Sequence, residues 1–195
     1  MTKQMAKTGL SKAFYAKYAA EGTTVTYSQG GTLGKAVDAD ISLDNADAVI
    51  FYADNGPAES AQQFSGGTLT ITNDRMPMAP IAAVLGLTTV ATSSPSGTTV
   101  DFPASLTPPY VGYGTIIRNV EDNTQKWLAI ILPKVQFQIP TDTATTGGDT
   151  IEFSGYQLTA KILRDDTANG NWKKYGLFST ESDAETWIKS FLSIT

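Results

Sequence analysis

Residues 36–60 read AVDADISLDNADAVIFYADNGPAES. Val37, Ala39, Ile41 and Leu43 occupy one parity, and Asp38, Asp40, Ser42 and Asp44 the other. Period-two alternation with one acidic face predicts a half-buried strand over 36–44. The apolar run 48–52 predicts the next strand of the same sheet. Residues 53–64, built around Asn55-Gly56-Pro57, predict a polar loop. The chain then returns as a strand over 67–72, through Leu69 and Ile71.

Working outward, short apolar runs keep recurring between Gly, Thr and Asn turn signals, which is all-β patterning. Strands are expected at 13–19 and, briefly, at 25–27 before a break at Gly30-Gly31. Residues 110–118 and 125–132 predict a long hairpin closed by 119–124. Its second arm is apolar on both faces over 127–132 and so belongs at the sheet centre. Alternation resumes over 134–139 after a kink at Pro133. Residues 88–107 predict a Ser/Thr/Pro loop with a small hairpin around Ser96-Gly97, and residues 140–148 a further loop. In 150–163 the apolar parity changes between Phe153 and Tyr156, which predicts a β-bulge at Ser154-Gly155. A turn cluster at 165–171 precedes a last strand at 172–178.

Two helices are expected. Asn73 or Asp74 caps the first, Pro77 suits its first turn, Ile81, Val84 and Leu85 follow at helical spacing, and Gly86 ends it. No charge falls between Arg75 and Asp101, so this helix should be buried all round, with a neighbouring subunit supplying part of the cover. It is far too short to cross a bilayer. The second helix spans 181–193. Ser182 and Glu185 form a capping box, and Ala184, Trp187, Ile188, Phe191 and Leu192 form one apolar stripe. Glu185 and Lys189 pair on the wet face.

Composition excludes much chemistry. The 195 residues suit one domain with a sizeable core, residues 1–12 forming an N-terminal arm. There is no cysteine and no histidine, which removes disulfides, thiolate chemistry and the commonest general base. The N-terminus has lysines but no apolar run behind them, so neither a signal peptide nor a membrane span is expected. No glycosylation sequon occurs, and cytoplasmic synthesis is the simplest expectation. The net charge is -5, and the longest basic run is Lys173-Lys174, which argues against nucleic-acid binding.

The chemical motifs are incomplete. Asp38, Asp40 and Ser42 open like a calcium loop, but Leu43 and Val49 stand where Gly and Glu are required. GGTLGK at 30–35 has Gln29 and Ala36 where a phosphate loop needs Gly and Ser/Thr. Gly112 and Gly114 read as room for a close neighbour. Glu121-Asp122 and Asp165-Asp166 read as turn chemistry. Serines lack a base to activate them. No catalytic role, cofactor or metal is expected. Tyr110, Tyr113, Trp127, Phe137 and Phe153 read as core aromatics rather than stacking platforms.

Five pieces in order carry a family resemblance: residues 36–60, FSGGTLTI (64–71), MAPIAAVLG (78–86), PPYVGYGTIIRN (108–119) and KWLAIILPKVQFQIPTDTATTGGDTIEF (126–153). Together, over roughly 10–163, the chain resembles the major tail proteins of long-tailed, siphovirus-type bacteriophages. Residues 95–107 and the first few match least. The resemblance implies a mainly β, sandwich- or barrel-like tail-tube domain with a short internal helix and a C-terminal amphipathic helix. It implies hexameric rings stacked into a tube, assembled in the host cytoplasm and carried in the virion. The partners implied are further copies, tape measure, terminator and baseplate hub proteins, and DNA that transits the lumen without specific binding. Asp38, Asp40 and Asp44 are the candidate lumen residues. Tyr110, Tyr113, Trp127, Ile81 and Val84 are the candidate intersubunit contacts, and loops 53–64 and 88–107 the candidate ring-to-ring contacts. A carbohydrate- or cell-binding module of a tail tip, and a ring-forming terminator or baseplate protein, are the alternatives.

Overall fold

A computed structural model describes residues 5–45, 49–53, 56–61, 64–74, 78–121, 124–141 and 156–195. The described chain is mainly β, with strands β1 (Met5–Glu21), β2 (Thr24–Gly34), β3 (Ala36–Asn45), β4 (Val49–Ala53), β5 (Gly56–Ala61) and β6 (Phe64–Asn73). Helix α1 (Met78–Leu85) follows, then β7 (Thr89–Ser93), β8 (Ser96–Val100), β9 (Tyr110–Glu121), β10 (Thr124–Phe137), β11 (Tyr156–Leu163), β12 (Lys174–Phe178) and helix α2 (Glu181–Phe191). The main sheet is antiparallel with order β2-β1-β9-β10-β11-β6-β3, and β12 also pairs with β10. β3 comes back alongside β1, so the sheet curls over itself like a sandwich.

Pro133 explains how β10 serves two neighbours. Residues Trp127 to Ile131 pair with β12, and Lys134 to Phe137 pair with β11. The register against β9 shifts between Leu132 and Val135. A residue without an N–H fits where one ladder stops and another begins. The expected kink is therefore the point where the sheet forks.

Strand β1 divides two cores by alternation. Ala13 and Tyr15 point into one, with Leu33, Leu69, Ile71, Tyr113, Val135, Phe137, Leu158 and Ile162, and α1 plugs its end with Ile81, Val84 and Leu85. Phe14 and Ala16 point the other way, into a core with Ile116, Ala129 and Ile131 that α2 covers with Ala184, Ile188 and Leu192.

Both helices end on hydrogen-bonded caps. Gly86, at φ +73, donates to Ala83 O, and Leu87 N–H donates to Ala82 O at 2.7 Å. That pair is a Schellman motif with Gly in the left-handed position. At α2 the expected capping box is displaced. Thr180 is the N-cap and accepts from the Asp183 N–H at 3.1 Å, while Glu185 binds Lys12 and Lys189 instead. The stripe on α2 and the Glu185–Lys189 pair, at 2.9 Å, are as expected, and the helix stops at Phe191 rather than 193.

Other expectations need correction. The break at Gly30-Gly31 lies inside β2, where the register against β1 shifts and Gln29 takes φ +50. A bulge absorbs the glycines, so the strand bends instead of ending. β4 does not extend the sheet of β3. It pairs with β5, which occupies much of the expected 53–64 loop, as a separate two-stranded ribbon. The hairpin expected within 88–107 is present as β7–β8, turning at Ser94-Pro95. The expected bulge at Ser154-Gly155 lies outside the described residues.

Candidate assembly surfaces

From Asp38 onward the outward face of β3, β6 and β11 is polar, whereas Val37, expected on the buried side, is 61% exposed where the register of β3 against β6 shifts. Asp38, Asp40, Ser42 and Asp44 are exposed on β3. Across the ladder, Asp38 faces Thr72, Asp40 faces Thr70, and Ser42 faces Thr68. One strand further, Thr72 faces Gln157, Thr70 faces Thr159, and Thr68 faces Lys161. Lys161 Nζ donates to Thr68 Oγ1 at 3.0 Å. The inward parity of the same strands holds Leu69, Ile71, Leu158, Ala160 and Ile162, all fully buried or nearly so. This is the alternation of an antiparallel sheet wet on one side. The three carboxylates meet one amine, so the face is net negative. Among the described residues no group of three or more acidic, histidine or cysteine side chains is arranged to hold a metal ion. The Asp row was legible in the sequence. The Thr and Gln rows beside it were missed, although Thr68, Thr70 and Thr72 alternate with Leu69 and Ile71 as plainly.

The candidate contact residues divide. Tyr113 and Val84 have no exposed surface and Ile81 almost none, because all three fill the core that α1 closes. They have nothing to offer a neighbour in this fold. Trp127 is half-buried under α2, beside Phe178 and Trp187. Tyr110 remains exposed, with Lys134 Nζ 4.5 Å from its ring centroid. Within this chain α1 is covered on one side only. Its inner side, Ile81, Ala82, Val84 and Leu85, is buried in this chain, whereas Met78, Ala79 and Ala83 are exposed.

A charged and aromatic knot ties the 165–171 turn to the sheet. Tyr18 Oη donates to Asp166 Oδ2 at 2.6 Å, and Lys134 Nζ reaches the same oxygen at 2.7 Å. The Lys134 and Tyr18 hydrogen bonds hold the Asp166 carboxyl below its ordinary range. Burial, helped by Asp166, pushes the Tyr18 phenol up to about 12. Burial likewise raises Tyr27 and Tyr113. Asp165 accepts from Thr167 Oγ1 at 2.6 Å, and its N–H donates to Asn171 O. The carboxylates of Asp165-Asp166 are thus engaged in shaping the turn. The hollow beside it, about 590 Å³, is lined by Phe64, Arg164, Asp165, Asp166 and Trp172 among others. Phe64 and Trp172 stack on each other at 4.6 Å there.

Four glycines make the bed of α2 and the residues that follow it. A Cβ on Gly114 would lie 2.5 Å from Ile188 Cγ2, one on Gly112 2.6 Å from Leu192 Cδ2, and one on Gly30 2.5 Å from Ile194 Cγ1. On β12, a Cβ at Gly176 would lie 3.3 Å from Trp187. The G-x-G at 112–114 is therefore a seat for a helix, as its expected role of close packing required.

The chain matches no protein-family model, and no curated protein is significantly similar to it.

Proposed function

We propose that this chain is a non-catalytic structural subunit that stacks as hexameric rings into the tail tube of a long-tailed bacteriophage, the conduit for DNA ejection. The observation that carries this reading is the outward face of β3, β6 and β11. From Asp38 onward it is polar and net negative through Asp38, Asp40 and Asp44. A lumen that DNA must cross without sticking needs such a surface, since phosphates bind Lys and Arg clusters and are repelled by carboxylates. Six copies of a chain of net charge -5 carry roughly thirty excess negative charges per ring. The five ordered sequence pieces add the family resemblance. The edges of β2 and β3, each paired on one side among the described residues, leave strands for neighbours to join.

Negative-stain electron microscopy of the purified chain at high micromolar concentration tests this. Tubes or stacked rings with a central hole are expected. Single closed rings that never stack would favour a terminator or baseplate part. Small particles that bind glycans would favour the carbohydrate-binding module, and either result would overturn the tube.

A further inference from the structure

The turn between β11 and β12 has a donor pattern that the acidic face of β3 lacks. Residues 165–171 read DDTANGN. A calcium loop takes oxygens from its first, third and fifth side chains and from its seventh carbonyl, with Gly at the sixth position for the sharp turn. Counted from Asp165, the four oxygen positions hold Asp165, Thr167, Asn169 and Asn171, and Gly170 stands at the sixth. Gly170 takes φ +56, a left-handed backbone that suits Gly. This is the position at which Leu43 excludes the segment that opens at Asp38. Lys173 and Gly176 fall at the ninth and twelfth places, so the loop supplies part of a shell and water completes it.

Asp165 gives a second, independent reason. The residue is 5% exposed. Its Oδ1 accepts from Thr167 Oγ1 at 2.6 Å, while Oδ2 has no hydrogen bond and no ion pair among the described residues. The nearby cations are placed otherwise. Lys134 is held by Asp166 at 2.7 Å, Lys174 lies 5.1 Å from the Phe191 ring centroid, and Arg164 is exposed. Buried charges are paired or coordinate metals, and this carboxylate has no counter-charge. Asp165, Thr167 and Asn169 line both hollows that flank the turn, of about 590 and 530 Å³. Space for an ion and its waters therefore adjoins them.

We propose that residues 165–171 bind Ca²⁺ through the Asp165 carboxylate, the Thr167 hydroxyl, the Asn169 amide oxygen and the Asn171 carbonyl. The Asn171 carbonyl accepts from the Asp165 N–H at 2.9 Å and keeps a second lone pair for the ion. Calcium accepts six to eight oxygens in flexible geometry, which suits one carboxylate with neutral oxygens and water. Magnesium demands a near-ideal octahedron and fits such a set poorly. With a single carboxylate, and with Arg164 and Lys174 close by, the affinity belongs at the weak end, on the order of 10⁻⁴–10⁻³ M. The second hollow is also lined by Thr26 of β2 and by Phe191 and Ser193 at the end of α2. The ion thus braces the turn between sheet and helix, whether or not the chain assembles.

The purified chain, stripped with a chelator, tests this. About 10 mM CaCl2 should raise its thermal midpoint by about 3–5 °C, and the same concentration of MgCl2 should not. Tb³⁺, a luminescent stand-in, should emit on excitation of the adjoining Trp172 and be displaced by Ca²⁺. Asp165→Asn keeps the side-chain shape without the charge, and Asn169→Ala truncates an exposed ligand. Each should weaken Ca²⁺ binding about tenfold or more with circular dichroism unchanged, while Asn169→Asp should tighten it about tenfold by adding a charge. Asp38→Asn/Asp40→Asn/Asp44→Asn should bind as the wild type does. No midpoint shift and no Tb³⁺ displacement up to about 10 mM CaCl2 would overturn the site, and so would an equal response to MgCl2. Binding that survives both Asp165→Asn and Asn169→Ala but is lost with the triple substitution would also overturn it, by placing the ion on β3.

Discussion

Ile188 Cγ2 lies 2.5 Å from where a Cβ on Gly114 would stand. The helix and the sheet are therefore in contact through a missing side chain. Gly114→Ala should destabilise the fold by about 1–3 kcal/mol, the usual cost of forcing a methyl into a packed core. Ile188→Ala removes the opposing methyl, so it should cost less in the Gly114→Ala background than in the wild type. Urea melts of the four chains in a double-mutant cycle measure this. Equal costs in both backgrounds would show that the helix does not sit in the glycine bed.

Helix α1 separates core from surface by parity. Ile81→Ala should cost about 2–5 kcal/mol in the unassembled chain, since Ile81 is buried in its own core. Met78→Ala should stay within about 0.5 kcal/mol, because the side chain is half exposed. Chemical denaturation at low concentration distinguishes them. Equal, small effects would mean that α1 needs a neighbour to be buried at all.

The bulge in β1 places Lys12, at φ +36, against α2, with Nζ 2.5 Å from Glu185 Oε2. The Lys12 and Lys189 hydrogen bonds hold the Glu185 carboxyl below its ordinary 4.5. Its contribution is therefore fully present above pH 4.5 and is lost as pH falls through the depressed value. Lys12 moves the opposite way, raised above 10.5 chiefly by its Glu185 hydrogen bond. Its contribution is full below that value and is lost as pH rises through the raised one. Solvent screening limits the pair to less than about 1 kcal/mol. Lys12→Met should flatten both flanks of a plot of thermal midpoint against pH, and an unchanged profile would refute the assignment.

The acidic row on β3 should matter for DNA and not for folding. Asp38→Asn/Asp40→Asn/Asp44→Asn should leave stability within about 0.5 kcal/mol, as expected of exposed side chains. Lysine at the same three positions should make assembled tubes retain double-stranded DNA, with affinity falling steeply as salt rises. Retention is read by co-sedimentation. Lysine-substituted tubes that ignore DNA would place this face outside the lumen.

Alternation carried most of the legible fold. Asp38 to Asp44 and the α2 stripe each show their buried side, because a period of 2 or 3.6 leaves one arrangement that hides the apolar set, whereas Val37 is 61% exposed at a register shift that no alternation reports. The failures share a cause. Gly30-Gly31 looked like a stop because a bulge and a turn use the same residues. Asn55-Gly56-Pro57 reads as the middle of a loop, yet Gly56 and Pro57 pair with Ala53 and Tyr52 in the β4–β5 ribbon. Ser182 and Glu185 have capping-box spacing, yet Lys12, which is 173 residues away, takes Glu185. No local pattern reports a partner that distant. Tyr113 fills the core, as its reading as a core aromatic requires, while Ile81 and Val84 lie on a helix whose apolar residues exceed any core that sequence alone can place. The curled sheet supplies that core itself.

The most direct test is a cryo-electron microscopy map of the assembled tube at side-chain resolution. Asp38, Asp40 and Asp44 from every subunit should line the central hole, with Thr68, Thr70 and Thr72 beside them. A hole lined by Lys and Arg, or by the α2 side of the sheet, would contradict the proposed conduit.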